Sequence, residues 1–255
     1  MGKVIAFSNQ KGGVGKTTSA INMASYVATL GRKVLIVDFD PQGNTTSGFG
    51  VEKNTLKSTV YDVLMGYCKA QDIITPTMVQ GLSLMPSNID LAAAEVDLVN
   101  MVNREYTLKE SLKSIRTNYD YIFIDCPPSL GLLTLNALVA SDSVIIPIQS
   151  EFFALEGLSQ LMNTIKIVKQ RLNTTIKVNG VVLTMYDNRS IISRQVTSEI
   201  QRYFGDKVYS VAVPRNVKLV EAPSFGVPIS SHAPGSSGAI AYQLLAKQFI
   251  QREES

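Results

Sequence analysis

Long apolar runs are missing from this 255-residue sequence. Stretches such as VIIPI at 144–148 fall far short of the roughly 20 residues that span a bilayer, so no membrane-crossing helix is expected. Cysteine is scarce. Cys68 and Cys126 lie in unrelated contexts without C-x-x-C spacing, which suggests neither a disulfide framework nor a zinc site. The lone histidine, His232, has no acid–base constellation around it in sequence and reads as a surface or loop residue. The opening MGKVIAF turns straight into a strand-like run and leaves no room for a cleavable signal peptide, so a cytoplasmic location is expected. Internal repeats, low-complexity stretches and Pro/Ser linkers are also lacking, which predicts a single domain over 1–255. Net charge is only +3, too little to announce a nucleic-acid binder.

What is present is a strong alternation of short β-branched runs with helix-period segments, the mark of a mostly parallel twisted sheet with helices on both faces, an α/β fold. The expected strands are 3–8, 33–40, 121–125, 143–149, 180–186 and 207–213. A helix over 16–30 can end at Gly31, because glycine accepts the left-handed conformation there. Leu158, Leu161, Met162, Ile165, Val168 and Leu172 mark the apolar face of a long helix. In a last helix, over 238–251, Ile240, Leu244, Leu245 and Phe249 are expected to meet the sheet.

The chemistry concentrates in QKGGVGKTTS at 10–19. Gly12, Gly13 and Gly15 sit between a strand and a helix, where successive backbone N–H groups can converge on an anion. Lys16 then supplies charge to the β and γ phosphates, and the Thr17 hydroxyl is placed to ligate Mg²⁺. The pattern departs from G-x-x-x-x-G-K-[ST] at its first position, where Gln10 stands beside an extra lysine, Lys11. Asp38 and Asp40 in VLIVDFDPQGN, and Asp125 in YIFIDCPPS, sit at the carboxyl ends of strands, where ligands bind in such sheets. Asp125 has the form of a Walker B acid that holds Mg²⁺ through water, although alone it could equally cap a helix. The excess positive charge falls within 186–220, where six basic residues face three acids; a DNA-binding surface and a merely solvated face both fit.

With these residues in place, the chain resembles ParA-family ATPases of the Soj type, which partition bacterial chromosomes and plasmids. The resemblance is carried by NQKGGVGKTT, VDFDPQGN, YDYIFIDCPPSLGLLTLNAL, EFFALEGLSQL and VPRNVKLVEAPSFGVPI. It implies a P-loop NTPase with a deviant Walker A, ATP and Mg²⁺ as ligands, and slow hydrolysis stimulated by a partner. Lys11, Gly12, Gly13, Val14, Gly15, Lys16, Thr17 and Thr18 would wrap the triphosphate, with Lys11 reaching the nucleotide of the other subunit in an ATP-bound homodimer. Asp40 would orient the attacking water beside the metal, Asp125 would support the metal, and Asp38 would stabilise the strand end. Pro214, Arg215, Asn216 and Met185 would contact the adenine. The resemblance further implies non-specific binding to double-stranded DNA, for which Arg189 and Lys218 are the candidates, a ParB-like centromere-binding partner, and nucleoid association in the cytoplasm. No N-terminal helix-turn-helix domain is expected, because the first strand begins at residue 3.

Rival readings are weaker. A GTPase would need an Asn-Lys-x-Asp motif, and no Asn-Lys or Thr-Lys pair occurs. MinD-like membrane-surface switches end in a basic amphipathic helix, whereas LAKQFIQREES has mixed charge and its apolar positions suit packing, so no membrane partner is expected. Iron–sulfur iron-protein relatives bridge a cluster between subunits with two cysteines each.

Overall fold

The computed structural model describes residues 1–151 and 154–254. Its sheet runs β3-β4-β2-β5-β1-β6-β7, comprising β1 Lys3–Phe7, β2 Val34–Asp38, β3 Thr75–Pro76, β4 Leu82–Met85, β5 Tyr121–Asp125, β6 Ser143–Gln149 and β7 Lys177–Thr184. Every pairing is parallel except that of β3 with β4. Successive side chains on a strand point to opposite faces, and two cores follow from that. Val4, Ala6, Leu35, Val37, Ile122 and Ile124 join one core with the helices Leu132–Ala140, Ala154–Arg171 and Ile191–Phe204. Ile5, Phe7, Val34, Ile36, Tyr121 and Phe123 join the other with α1 (Lys16–Thr29) and the helix Ser237–Glu254. There Phe123 packs edge-on against Phe7 at 5.2 Å and Phe249 at 5.3 Å between ring centres, a preferred aromatic geometry.

Parallel register sets the site. Asp38 lies directly opposite Asp125 across β2 and β5, and Phe7 lies opposite Asp125 across β1 and β5. The two carboxylates and the loop leaving β1 therefore share one sheet edge. α1 ends as expected, with Gly31 at φ +87. On Ala154–Arg171, Leu158, Leu161, Ile165 and Val168 are buried, while Met162 and the flanking Leu172 are partly so. Phe152 and Phe153 of EFFALEGLSQL lie outside the described residues.

Three expectations need correction. Residues 207–213 do not form a strand: only isolated parallel bridges link Val181 with Val208 and Tyr186 with Pro214. The segment meets β7 at separated points: the Tyr209 and Val213 amides donate to the Val181 and Leu183 carbonyls, while the Ser210 amide between them donates to Gln248 Oε1 and the Arg252 guanidinium, 4.1 Å over the Tyr209 ring, donates to the carbonyls of Asp206, Lys207 and Val208. In Ser237–Glu254, Ile240 and Leu244 are exposed at 49% and 44%, and Ala239, Tyr242, Leu245, Ala246 and Phe249 face the sheet instead. At the start of this helix, Gly238 lets it approach the helix Val217–Glu221, since a Cβ there would come within 2.8 Å of the Leu219 side chain. His232 is not a free surface residue, as its ring stacks on Phe225 and its Nε2 lies 3.2 Å from Glu221 Oε2. The short strands β3 and β4 carry too few residues for periodicity to reveal them.

Candidate nucleotide site

The loop from β1 to α1 is held from beneath. Asn9 donates through Nδ2 to the Pro147 carbonyl at 2.8 Å, and Thr184 Oγ1 donates to the Val14 carbonyl at 2.7 Å. Gly13 and Gly15 adopt φ +72 and +82, a region other residues enter at a cost of about 1–2 kcal/mol. A Cβ on Gly13 would meet nothing within 4 Å, so the backbone conformation, and not crowding within the protein, requires glycine there. Gly15 caps α1 without a side-chain hydrogen bond, leaving the first amides of the helix free to face an anion. Lys16 is buried and its Nζ donates to the Lys11 carbonyl at 3.1 Å. Desolvation lowers its pKa, while Asp125, Cys126 and Asp40 pull it back up.

The carboxylates are buried beside this loop. Burial lifts the Asp38 pKa to about 6, against the pull of hydrogen bonds from Thr46. Its Oδ2 accepts from the Thr46 amide and hydroxyl, each at 2.7 Å. Burial and then the nearby Asp38 lift Asp125 to about 7, opposed by the Thr17 and Thr45 hydroxyls. Thr45 Oγ1 donates to Asp125 Oδ2 at 2.8 Å, whereas Asp125 Oδ1 is buried without a hydrogen-bond partner. An orphaned carboxylate oxygen costs about 1–3 kcal/mol or more, a cost that a cation or its water shell can offset. The donor set, with the Thr17 hydroxyl alongside, therefore fits Mg²⁺, a hard cation that keeps several waters and takes one or two carboxylates. Asp40 is buried and accepts from the Gln42 amide at 2.9 Å, the turn that leads into α2 (Asn44–Gly48).

Beyond the loop lies a cleft of about 440 Å³ lined by Gly15, Thr18, Met185, Pro214, Arg215 and Asn216, together with Leu219 and Tyr242. Every residue expected at the base thus lines one cavity open to the phosphate loop. Met185 reaches it at φ +50, an uncommon backbone conformation for a residue with a side chain. Lys11 points outward, with Nζ 3.0 Å from Glu151 Oε2. Arg189 and Lys218 stand apart from the loop on exposed ground, paired with Asp187 at 3.1 Å and with Glu221 at 2.8 Å. Sequence reasoning missed Thr45, Thr46, Thr184 and Glu151. Only the paired hydroxyls in NTTS, a few residues past the acidic strand end, offered a signal.

Comparison with known proteins agrees. A family profile described as an AAA domain matches residues 2–178. The sporulation initiation inhibitor protein Soj of Bacillus subtilis is 54% identical over 248 residues, covering 97% of this chain and 98% of that protein. The chromosome partitioning protein ParA of Caulobacter vibrioides is 48% identical over 253 residues, covering 98% of this chain and 95% of that one. Among solved structures, cobyrinic acid a,c-diamide synthase from Mycobacterium smegmatis with bound ATP analog and magnesium superposes with a TM-score of 0.88 at 37% identity, over 100% of this chain and 97% of that one. The septum site-determining protein MinD of Pyrococcus horikoshii, complexed with Mg-ADP, gives 0.78 at 27% identity, over 97% and 96% of the two chains. With a deviant phosphate loop, two buried strand-end carboxylates and near full-length identity of about one half, the chain belongs to the ParA/Soj family of chromosome-partitioning ATPases.

Proposed function

We propose that the chain is a single-domain, Mg²⁺-dependent ATPase that dimerises on ATP, binds DNA without sequence preference, and is released when a ParB-like partner stimulates hydrolysis. The observation that carries the reading is the juxtaposition of an unpartnered Asp125 Oδ1 with Lys16, Thr17 and a loop of uncapped amides. Gly12, Gly13, Val14, Gly15, Lys16, Thr17 and Thr18 hold the triphosphate; Thr17, Asp125 and Asp40 hold the metal and its waters. Mg²⁺ held by these residues would supply positive charge against the negative charge developing on the phosphates. Asp40 orients the attacking water. Met185, Pro214, Arg215 and Asn216 grip the base.

Lys11 exchanges Glu151 for a phosphate of the partner subunit's nucleotide. The exposed Lys11–Glu151 pair is worth at most about 1 kcal/mol, so a triphosphate displaces it readily. Arg189 and Lys218 likewise exchange Asp187 and Glu221 for DNA phosphates, and this attachment keeps the protein on the nucleoid.

A membrane-surface reading fits less well. The terminal helix already spends Tyr242, Leu245 and Phe249 on the sheet, each worth about 1.5–3 kcal/mol of burial. Detaching it onto lipid would cost a large part of a domain's usual 5–15 kcal/mol, roughly. No described helix is long and apolar enough to cross a membrane. The iron–sulfur reading also fails physically, because Cys126 is wholly buried and unavailable to a second subunit. ATP-dependent DNA binding tests the proposal: Asp40→Ala should stay DNA-bound with ATP while wild type cycles off. Binding that ignores nucleotide, or binding to anionic vesicles instead of DNA, rejects it.

A further inference from the structure

α2 has little reason to be a helix. Its sequence, NTTSG, combines residues of weak helical preference, and Gly43 caps it without a side-chain hydrogen bond. Five residues are also too few to sustain a helix alone. Tertiary anchors must hold it, and these are two neighbouring threonines that reach different strands. Thr46 bonds Asp38 at the end of β2 through both its amide and hydroxyl, and its oxygen accepts from the Ser87 amide at 2.9 Å. Thr45 reaches the other way, to Asp125 Oδ2 at the end of β5. Thr45, Thr46, Asp38, Asp125 and Ser87 are all fully buried. Water therefore cannot substitute for a lost partner.

A carboxylate whose one oxygen is fixed by a hydrogen bond has its plane fixed too, and so has the direction of its second oxygen. Resting on the Mg²⁺–ATP reading above, we propose that Thr45 is a positioning residue for the hydrolysis site: by holding Asp125 Oδ2 it aims the free Oδ1 at the metal. The same bond ties the segment beginning at Asp40 to the metal-supporting carboxylate. The connection is short, since the Gly43 amide donates back to the Asp40 carbonyl at 2.9 Å and α2 begins at the next residue. Thr46 supplies the second tether, to Asp38. Asp40 and Asp125 are thereby placed relative to each other by a hydroxyl that itself touches neither nucleotide nor metal, as outer partners of metal ligands commonly do.

Thr45→Val removes the hydroxyl at nearly constant shape, and Thr45→Ser keeps it. Binding of a fluorescent ATP analogue with and without Mg²⁺, together with steady-state hydrolysis across Mg²⁺ concentrations, separates the roles. In Thr45→Val, Mg²⁺-free binding should stay within about twofold of wild type, while half-saturating Mg²⁺ rises and kcat falls, each on the order of tenfold. Thr45→Ser should match wild type within about twofold. Three results overturn the inference: Thr45→Val with wild-type Mg²⁺ dependence and kcat, Thr45→Ser as defective as Thr45→Val, or Mg²⁺-free binding lost as severely as hydrolysis. Should Thr45→Val not fold, proton NMR on nucleotide-free wild type decides. The buried Thr45 hydroxyl proton, bonded to Asp125, should be slow to exchange before any ligand is added, and free exchange overturns the inference. A wild type that fails to bind Mg²⁺–ATP removes the underlying reading, whereas a Thr45→Val protein matching an active wild type removes this inference alone.

Discussion

At the scale of single residues, the proposed roles assign binding and hydrolysis to different side chains. Lys16 is the buried cation of the loop, so Lys16→Ala should weaken ATP binding by at least about tenfold, given that charge-assisted hydrogen bonds are worth roughly 1.5–3 kcal/mol. Asp40→Ala should still bind ATP, accumulate as a dimer and lose most hydrolysis; phosphate release at the wild-type rate would remove its role. The buried acids make a second prediction. Folding lifts Asp38 from 3.8 to about 6 and Asp125 from 3.8 to about 7, so between these limits the folded chain binds more protons than the unfolded one. Stability of the nucleotide-free protein is therefore highest, from these groups, near pH 4 and falls as pH rises through about 7, by on the order of a few kcal/mol. Glu254, Asp187 and Glu221 shift the other way, held below their ordinary values chiefly by hydrogen bonds from Arg32, Arg189 and Lys218. Urea midpoints at pH 5 and 8 check the sign, and Asp125→Asn should flatten the slope. A rising midpoint would show that the pair is not protonated in the fold.

Between residue and molecule stands the segment 44–50, which follows Asp40 and contains α2. Its far end is wedged against the segment leading from the base cleft: a Cβ on Gly226, at φ +67, would come within 2.6 Å of Gly50 Cα. Gly226→Ala should thus cost more than the roughly 1–2 kcal/mol of the left-handed conformation alone, by a further 1–3 kcal/mol, approximately, of overpacking. Gly31→Ala is the control, because φ is +87 but nothing lies within 4 Å. Equal urea midpoints in the two variants would show that the wedge yields. Sequence legibility differed sharply among elements for physical reasons. β1, β2, β5 and β6 are buried on both faces and announce themselves as apolar runs. Residues 207–213 carry the same pattern but meet β7 only at separated points, with the Ser210 amide turned instead to Gln248, which lies far away in sequence. The phosphate loop was legible because its glycines answer to local backbone angles. The Thr45–Asp125 bond was not, because it joins a short helix to the end of a strand remote in the chain.

At the scale of the whole molecule, charge and symmetry govern behaviour. If Lys11 acts on the partner subunit's nucleotide as proposed, Lys11→Ala should impair ATP-driven dimerisation more than nucleotide binding by the monomer; sedimentation with ATP and Mg²⁺ measures this, and a normal dimer population would end the trans role. If each subunit of the dimer sets Arg189 and Lys218 on phosphates, about four contacts form and the log–log salt slope is roughly −3.6, against about −1.8 for a monomer. Affinity should then fall on the order of a hundredfold between about 50 and 200 mM salt, alike for unrelated sequences. Arg189→Ala and Lys218→Ala should each reduce both affinity and slope. Unchanged slopes in both would mean that these cations keep Asp187 and Glu221 and that DNA binds elsewhere.

Which residues bear charge, which glycines can enter left-handed space and which runs must be buried are local properties, set by each side chain and its near neighbours and so readable from the chain alone. They are enough to set the parallel α/β plan, the phosphate loop, and the acids at strand ends. Folding is what sets Asp38 opposite Asp125, closes one cleft from Met185, Pro214 to Asn216 and Thr18, rests Lys11 on Glu151, and pairs Thr45 with one oxygen of Asp125 while the other has no partner. Each of those depends on strand order and register, which set distances between residues remote in the chain and leave no mark in local composition.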